Sequence, residues 1–215
     1  MLETLLNIDG GLLLLIQDYV RNPILDRMMI FITNLGNGGM IWIAATLILM
    51  IPKKTRKVGI MSAVALLGSL LINNHLIKNL VQRPRPFVTF TDLQIIIPTP
   101  SEFSFPSGHT ASSFAAASVF YKHLPKKIGV PAIVLAGVIG LSRLYVGVHY
   151  PTDVIAGILM GIFLGYLAEY IVRFFEKKLK KARKNIKKAM FFRAFLHHTE
   201  FMHIYKEKRM FISAF

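Results

Sequence analysis

Long apolar runs separated by short basic loops constrain this chain more than any other feature. The runs lie at about 38–51, 58–80, 109–121, 128–147 and 152–174, and several approach the roughly 20 residues that cross the core of a bilayer. Only 17% of the 215 residues are charged, whereas about 25% is usual in a soluble domain. The sequence therefore predicts an all-α integral membrane protein.

The basic residues lie where the positive-inside rule expects them. The formal net charge of +15 would suggest a nucleic-acid partner in a soluble protein. Here the lysines and arginines cluster in "PKKTRK" (52–57), "KHLPKK" (122–127) and the tail after residue 176. If the apolar runs alternate in direction, all three clusters share one face, which the rule assigns to the cytoplasm. We therefore expect a membrane partner and no nucleic acid.

The charge pattern divides the chain into three parts. Residues 1–36 alternate short apolar stretches with charges, which predicts amphipathic helices at the membrane interface. Residues 37–175 predict a polytopic helix bundle of about five spans. Residues 176–215 predict a basic cytoplasmic tail.

One of the predicted spans is short. The run at about 109–121 would be roughly 21 Å long as a helix, against a hydrocarbon core of about 30 Å. Its outer end, next to the loop 87–107, is therefore expected below the headgroups, within reach of a lipid headgroup. A sixth span near residues 5–20 is an alternative, and it would place Asp9 or Asp18 in lipid.

Three polar motifs interrupt the apolar pattern on the predicted outer face, and the first is "KNLVQRPRP" (78–86). Lys78 and Arg85 are seven residues apart, so they share a face of a continuing helix. Pro84 and Pro86 prevent that helix from continuing far. Taken alone, the motif is equally typical of a basic flank whose side chains extend to the headgroups.

The second motif is "FPSGHTASS" (105–113), at the start of the short span. Ser107 is a favoured N-cap, Gly108 lets the backbone approach a ligand, and His109 stands in the first turn. Free backbone N–H groups and the dipole at such a helix start bind anions. Alone, the motif is more simply interpreted as a capped helix with an interfacial histidine.

The third motif is "SRLYVGVHYPTDV" (142–154), between two apolar runs. His149 and Asp153 are spaced i, i+4, close enough for the carboxylate to hold one ring nitrogen and leave the other exposed. Arg143 lies near the end of the preceding span. Ionisable groups at such depths are costly, and they are candidates for function.

Together the motifs describe a binding site for a phosphate dianion. They bring cations, a helix N-terminus, two histidines and one carboxylate to the same membrane level. Cations and backbone donors bind phosphate oxygens. Two histidines in different settings suit covalent phosphoryl transfer, in which one attacks and the other protonates the departing oxygen. The chain has no cysteine, which excludes a thiolate nucleophile or thiolate metal site.

The order and spacing of the motifs resemble those of the type 2 phosphatidic acid phosphatase (PAP2) superfamily. The matching positions are Lys78-x6-Arg85-Pro86, Pro106-Ser107-Gly108-His109 and Ser142-Arg143-x5-His149-x3-Asp153. The resemblance implies a phosphatase in which His149 forms a phosphohistidine, Asp153 orients it and His109 is the general acid. The residues implied to bind the phosphoryl oxygens are Lys78, Arg85, Ser107, Gly108 and Arg143. The family needs no metal, and no cofactor is implied.

The resemblance implies a lipid phosphate or diphosphate as substrate, and the charge pattern of the loops predicts that the site lies on the extracytoplasmic side. Undecaprenyl diphosphate is the first choice, since a small protein with a site at headgroup level suits recycling of a cell-wall lipid carrier. Phosphatidylglycerophosphate or phosphatidate is the alternative. A phosphate or phospholipid transporter would need a polar path inward, yet the inner halves of the runs are apolar. A metal site of His109, His149 and Asp153 is disfavoured because the neighbouring cations would repel the metal.

Other polar or small residues are interpreted more simply. His75 is interpreted as a packing residue. Arg83 is interpreted as a headgroup contact, because the arginine two positions later satisfies the motif spacing. Three glycines at intervals of four residues on the last run predict a helix-packing face: Gly157, Gly161 and Gly165.

Overall fold

The computed structural model describes the backbone of residues 2–212 and the side chains of residues 6–187 and 190. Within these limits the chain is helical and contains no strand, which confirms the predicted all-α class. The chain forms two units, Met1–Tyr170 and Ile171–Phe215. The second unit is helical as far as Ile212, and its side chains at 177–187 are exposed. Every contact discussed below lies within the first unit.

The helices follow the apolar runs of the sequence closely. A 3₁₀ turn, Asn37–Gly39, and a π-helical segment, Ser69–Ile77, connect neighbouring α-helices. The α-helices of the described backbone are α1 (Leu2–Tyr19), α2 (Pro23–Leu35), α3 (Met40–Met50), α4 (Arg56–Gly68), α5 (Lys78–Val81), α6 (Pro86–Thr89), α7 (Gly108–His123), α8 (Lys126–Tyr145) and α9 (Pro151–Ile212).

Helix length and composition support three or four membrane spans. Three helical stretches are long and apolar enough to cross a bilayer: Arg56–Thr89, Lys126–Tyr145 and Pro151–Lys187. A fourth span results if the bent pair Pro23–Leu35 and Asn37–Met50, which meet at 46°, crosses as one unit. The α7 helix has 16 residues and is shorter than these. The molecule is a membrane protein, and the predicted number of five spans is not confirmed.

A glycine-rich break separates α2 from α3. Gly38 and Gly39 have φ angles of 58° and 69°, in the left-handed region that glycine adopts without a steric penalty. Gly36 is also required by close packing, because a Cβ atom there would lie 2.7 Å from Cδ2 of His109. The break therefore brings backbone against the start of α7, where the second motif lies.

The helix that carries Lys78 of the first motif ends before it reaches Arg85. The π-helical segment closes with the Lys78 N–H donating to the carbonyl of Asn73, and such π segments are frequent at functional sites. Gln82 then turns into the left-handed region, with φ 49°, and Arg85 is extended, with φ −77° and ψ 157°. The prolines thus end the helix as predicted, and Arg85 reaches the site from an extended linker instead of from a shared helix face.

The short helix α7 lies at the centre of the first unit. Its small residues are fully buried at Ala111, Ala115, Ala116 and Ala117. A Cβ atom added at Gly161 of α9 would lie 2.5 Å from the carbonyl oxygen of Ala111. The glycine face of α9 therefore packs directly on α7, which confirms the predicted helix-packing face.

The first helix packs against the loops that follow α6 and α8. Leu13 of α1 is fully buried in a cluster with Leu93 and Tyr150. Asp9, on the same helix, is 2% exposed, whereas Asp18 is exposed. These contacts place the N-terminal helix beside the third motif. The assignment of residues 1–36 to the membrane interface remains a prediction.

Candidate active site

The three motifs converge on one cavity of about 580 Å³. Its polar wall comes from the end of the π-helical segment and the start of α5, the linker before α6, the loop before α7, the start of α7, and the end of α8 with the turn that follows it. Six of the eight residues proposed from the sequence line this cavity: Lys78, Arg85, Gly108, His109, Arg143 and His149. The other two, Ser107 and Asp153, are fully buried and lie behind the residues that line the cavity.

His149 lies in the turn between α8 and α9 and is 1% exposed. Its Nδ1 atom lies 3.4 Å from Oδ2 of Asp153, the contact expected from the i, i+4 spacing. Its Nε2 atom lies 3.3 Å from Nη1 of Arg85. A guanidinium can only donate hydrogen bonds, so Nε2 must accept and the ring proton belongs on Nδ1. The nitrogen on the Arg85 side therefore carries the lone pair.

The surroundings of His149 also keep the ring neutral. Burial is the largest influence and lowers the pKa of His149, and the positive charges of Arg85 and Arg143 lower it as well. The hydrogen bond to Asp153 opposes these effects. A neutral imidazole with a free lone pair is the form that a nucleophile requires.

Asp153 is held by donors on both of its oxygens. Oδ2 accepts from the hydroxyl of Ser104 at 2.5 Å and from the backbone N–H of Tyr150 at 3.0 Å. Oδ1 accepts from Nη1 of Arg83 at 2.7 Å. Hydrogen bonds to the charged form favour an ionised carboxylate. This carboxylate is therefore fixed before any substrate binds.

Three cations of the site are buried although only one carboxylate in the cavity wall faces them. Lys78, Arg85 and Arg143 are 4%, 5% and 3% exposed. Arg85 donates from Nε to the carbonyl of Glu102 at 2.7 Å, and Arg143 donates from Nη1 to the hydroxyl of Thr33 at 2.6 Å. Nε of Arg143 has no hydrogen-bond partner among the described residues. Buried charge of this kind favours binding of an anion.

Glu102 forms an ion pair with Lys78, the lysine of the site. Its Oε2 atom lies 2.5 Å from Nζ of Lys78, and the glutamate side chain is 65% exposed. The hydrogen bond from Lys78 is the largest influence on Glu102 and lowers its pKa. The carboxylate stands where an oxygen of a bound phosphate could bind the same lysine.

The start of α7 presents backbone to the cavity as the sequence predicted. Ser107 caps the helix by accepting from the N–H and the hydroxyl of Thr110 at 3.4 Å and 2.8 Å. A Cβ atom at Gly108 would lie 2.7 Å from Oδ1 of Asn74, so a larger residue would displace that side chain. Nε2 of His109 lies 2.9 Å from Oδ1 of Asn37.

Sequence reasoning missed several residues that hold the predicted ones. Glu102 is not among the residues proposed from the sequence, and Arg83 is interpreted there as a headgroup contact. Asn37 could have been found from the glycines that flank it, because they predict a break in the helix at this position. Thr33 and Ser104 carry no comparable signal in the sequence.

The described part of the chain contains no candidate metal site. No set of three or more His, Cys, Asp or Glu side chains there could hold a metal ion. The polar groups that converge on the cavity are cations and neutral donors, which suit an anionic ligand.

Comparison with known proteins identifies the family. Residues 58–177 match the PAP2 superfamily. The undecaprenyl-diphosphatase of Sulfolobus acidocaldarius is 32% identical over 143 residues, which are 66% of this chain and 68% of that protein. The chain belongs to the PAP2 superfamily, as the motifs predicted, and it is a phosphatase of the PAP2 type.

Two solved structures share the fold. LpxE of Aquifex aeolicus superimposes with a TM-score of 0.68 at 28% identity, over 76% of this chain and 95% of that one. A PAP2-type phosphatidylglycerolphosphate phosphatase of Bacillus subtilis gives a TM-score of 0.63 at 28% identity, over 82% and 87%. The second of these is a transmembrane protein, in agreement with the candidate spans found here.

Proposed function

We propose that this protein hydrolyses a lipid phosphate or diphosphate through a phosphohistidine at His149, with undecaprenyl diphosphate as the preferred substrate. One observation carries the mechanism. The imidazole of His149 directs Nδ1 to the buried carboxylate of Asp153 and Nε2 to the cavity beside Arg85. A buried carboxylate on one ring nitrogen fixes the tautomer that leaves the other nitrogen free to react.

In the first half of the proposed reaction, Nε2 of His149 attacks the terminal phosphorus atom. The bond between that phosphorus and the bridging oxygen breaks, and His109 donates a proton to the departing oxygen. For undecaprenyl diphosphate the leaving group is undecaprenyl phosphate. In the second half, water attacks the phosphorus, His109 takes a proton from this water, and the phosphorus–nitrogen bond breaks to release inorganic phosphate.

The remaining site residues would stabilise charge on the transferred group. Lys78, Arg85 and Arg143 line the cavity, and they would bind the non-bridging oxygens together with the backbone N–H groups of the first turn of α7, which begins at Gly108. The backbone N–H of Ser107 donates to the carbonyl of Asp153 at 3.1 Å, so Ser107 would contribute through its hydroxyl and by capping this turn. Electrostatic stabilisation by such fixed donors is commonly the largest contribution to catalysis of this type. The excess of cations over carboxylates in the cavity favours a doubly charged phosphate over a neutral ligand.

The apolar part of the same cavity supports a lipid as the phosphate ester. Ile43, Leu66, Leu67 and Leu70 line it together with the cations. A lipid chain could therefore lie in contact with these residues while its phosphate binds beside His149. The undecaprenyl-diphosphatase relative supports the first choice of substrate. The Bacillus subtilis structure supports phosphatidylglycerophosphate, with phosphatidate, as the alternative.

The arrangement in the membrane is part of the proposal. We infer five spans, with α7 as the short third one in chain order, residues 1–36 at the interface and the tail 176–215 in the cytoplasm. The basic loops at 52–57 and 122–127 support this orientation. The active site would then open on the extracytoplasmic side.

The test is a substrate panel with the purified full chain in detergent. Release of inorganic phosphate is measured from undecaprenyl diphosphate, phosphatidylglycerophosphate and phosphatidate, each with and without EDTA. We expect undecaprenyl diphosphate to give the highest kcat/KM, EDTA to have no effect, and His149→Ala to be inactive on all three. Activity of the His149→Ala variant at the wild-type level, or loss of activity in EDTA, would overturn the mechanism.

A further inference from the structure

Arg83 points into the protein and not towards the headgroups. It lies in the linker between α5 and α6, and its side chain is only 15% exposed. Its guanidinium carbon lies 3.8 Å from the centre of the Tyr150 ring. The interpretation of Arg83 as a headgroup contact is therefore wrong, because the extended linker turns this side chain towards the start of α9.

Two buried carboxylates flank the guanidinium. Nη1 of Arg83 donates to Oδ1 of Asp153 at 2.7 Å and to the hydroxyl of Thr152 at 2.7 Å. Nη2 donates to Oδ2 of Asp9 at 2.9 Å. The side chains of Asp9 and Asp153 are 3% and 0% exposed. Because a buried charge without a partner is strongly destabilising, Arg83 supplies a partner for both buried side chains.

Asp9 also fixes the start of α9 itself. Its Oδ1 atom accepts from the backbone N–H of Thr152 at 3.3 Å, and its Oδ2 atom accepts from the Thr152 hydroxyl. The first N–H groups of a helix lack intrahelical partners, so this carboxylate takes the role of a cap supplied by α1. The first helix of the chain is thus bound to the same turn of α9 that carries Asp153.

The contacts of Asp153 divide between its two oxygens. Oδ1 accepts from Arg83, whereas Oδ2 is left for Ser104, the Tyr150 N–H and Nδ1 of His149. If Arg83 were absent, the carboxylate could rotate and Oδ1 could compete for the same donors. Arg83 can therefore influence the orientation of the histidine ring without touching it.

We propose that Arg83 is a positioning residue for phosphoryl transfer, which orients the Asp153 carboxylate towards His149 and is itself held in place by Asp9 of α1. This inference rests on the proposed function, because it assigns His149 as the nucleophile. Arg83 and Asp9 do not line the cavity. Their loss should therefore slow the chemical step and leave substrate binding nearly unchanged.

The experiment compares Arg83→Gln and Arg83→Lys with the matched control Arg21→Gln in the full chain. Arg21 is also a partly buried arginine, and it donates to the carbonyls of Tyr145 and Gln94 at 2.9 Å and 2.5 Å, away from Asp153. The substrate is a short-chain, water-soluble phosphate monoester or diphosphate. The readouts are kcat, KM, the amount of acid-quenched phosphoenzyme and the melting temperature.

We expect Arg83→Gln to lower kcat by about 10- to 100-fold, as loss of a charge-assisted hydrogen bond would, with KM changed less than about twofold. Arg83→Lys keeps the charge and should recover part of kcat. Asp9→Asn should lower kcat less than Arg83→Gln, because the amide oxygen still accepts from the guanidinium. Arg21→Gln should lower the melting temperature without lowering kcat of the folded protein.

The outcomes separate this inference from the proposed function. Full kcat in folded Arg83→Gln, while His149→Ala is inactive, would overturn the positioning role and leave the phosphohistidine mechanism standing. Activity in His149→Ala would overturn the mechanism itself. If Arg83→Gln does not fold, Arg83→Lys and Asp9→Asn decide the question, and wild-type kcat in both would refute the inference. Equal losses of kcat in the Arg83 and Arg21 variants would indicate a purely structural role.

Discussion

Replacing Asp153 by Asn removes a charge from the proposed catalytic pair while keeping its size. Every group that contacts this carboxylate is a donor or can act as one: Arg83 on Oδ1, and Ser104, the Tyr150 N–H and His149 on Oδ2. An amide has one oxygen, which accepts hydrogen bonds, and one NH₂ group, which donates them. On one side of the asparagine, the NH₂ group would therefore face groups that also donate. If the oxygen stays with Arg83, Nδ1 of His149 loses its acceptor.

The size of the effect follows from the interaction that is lost. A hydrogen bond to a charged group contributes about 1.5–3 kcal/mol, and each 1.36 kcal/mol corresponds to a tenfold change in rate. The attacking ring becomes positively charged as the phosphorus–nitrogen bond forms, so the carboxylate stabilises the transition state more than the ground state. We therefore expect kcat to fall about 10- to 150-fold in Asp153→Asn, with a much smaller change in KM.

The assay is rapid-quench measurement of phosphoenzyme formation and steady-state kcat on a soluble substrate. The matched control is Asp26→Asn, since Asp26 accepts a hydrogen bond from the Tyr145 hydroxyl at 2.7 Å and lies outside the cavity lining. The melting temperature of each variant shows whether the protein is folded. A folded Asp153→Asn variant with kcat within about twofold of wild type would refute the assignment.

Three further predictions follow from the site and the orientation. His149→Ala should form no phosphoenzyme in a rapid-quench experiment, whereas His109→Ala should retain slow single-turnover phosphorylation with a good leaving group, and the reverse result would exchange the two roles. Glu102→Gln should lower KM in steady-state assays, because it removes the carboxylate that occupies Lys78; a higher KM would show that the glutamate assists binding. A single cysteine replacing the exposed Gln94 in this cysteine-free chain should react with an impermeant reagent in intact cells, and labelling only after permeabilisation would contradict the orientation.

The residues that line the cavity could be predicted from the sequence because each motif carries a local signal. Arg143 and His149 are costly at the end of an apolar run, and Lys78 and Arg85 are cations on the face that the positive-inside rule leaves poor in them. Gly108 follows a residue that favours the N-cap. The structure brings all five of these to the wall of one cavity. Their catalytic roles remain proposals.

Apart from the His149–Asp153 pair, the contacts that hold the site together could not be predicted, because they join residues that are distant in the sequence. Arg83 and Asp9 are 74 positions apart, and Lys78 and Glu102 are 24 apart. No periodic pattern connects such pairs, since each depends on how a loop or α1 packs in the folded chain. One signal for Arg83 was nevertheless available. Residues i and i+2 of an extended segment point to the same side, so an extended linker that directs Arg85 inward can direct Arg83 inward too.

The burial of α7 explains how a helix of 16 residues can serve as a proposed span. In a bilayer, backbone that leaves the helical hydrogen-bond pattern is tolerated only where protein or a cavity surrounds it. The first turn of α7 meets this condition, because Ser107 caps it, Gly108 packs against Asn74, and His109 lines the cavity. Gly161 of α9 packs against the helix further along. The start of α7 can therefore lie below the headgroups without exposing free N–H groups to lipid, and those same N–H groups are what the proposed phosphate site requires.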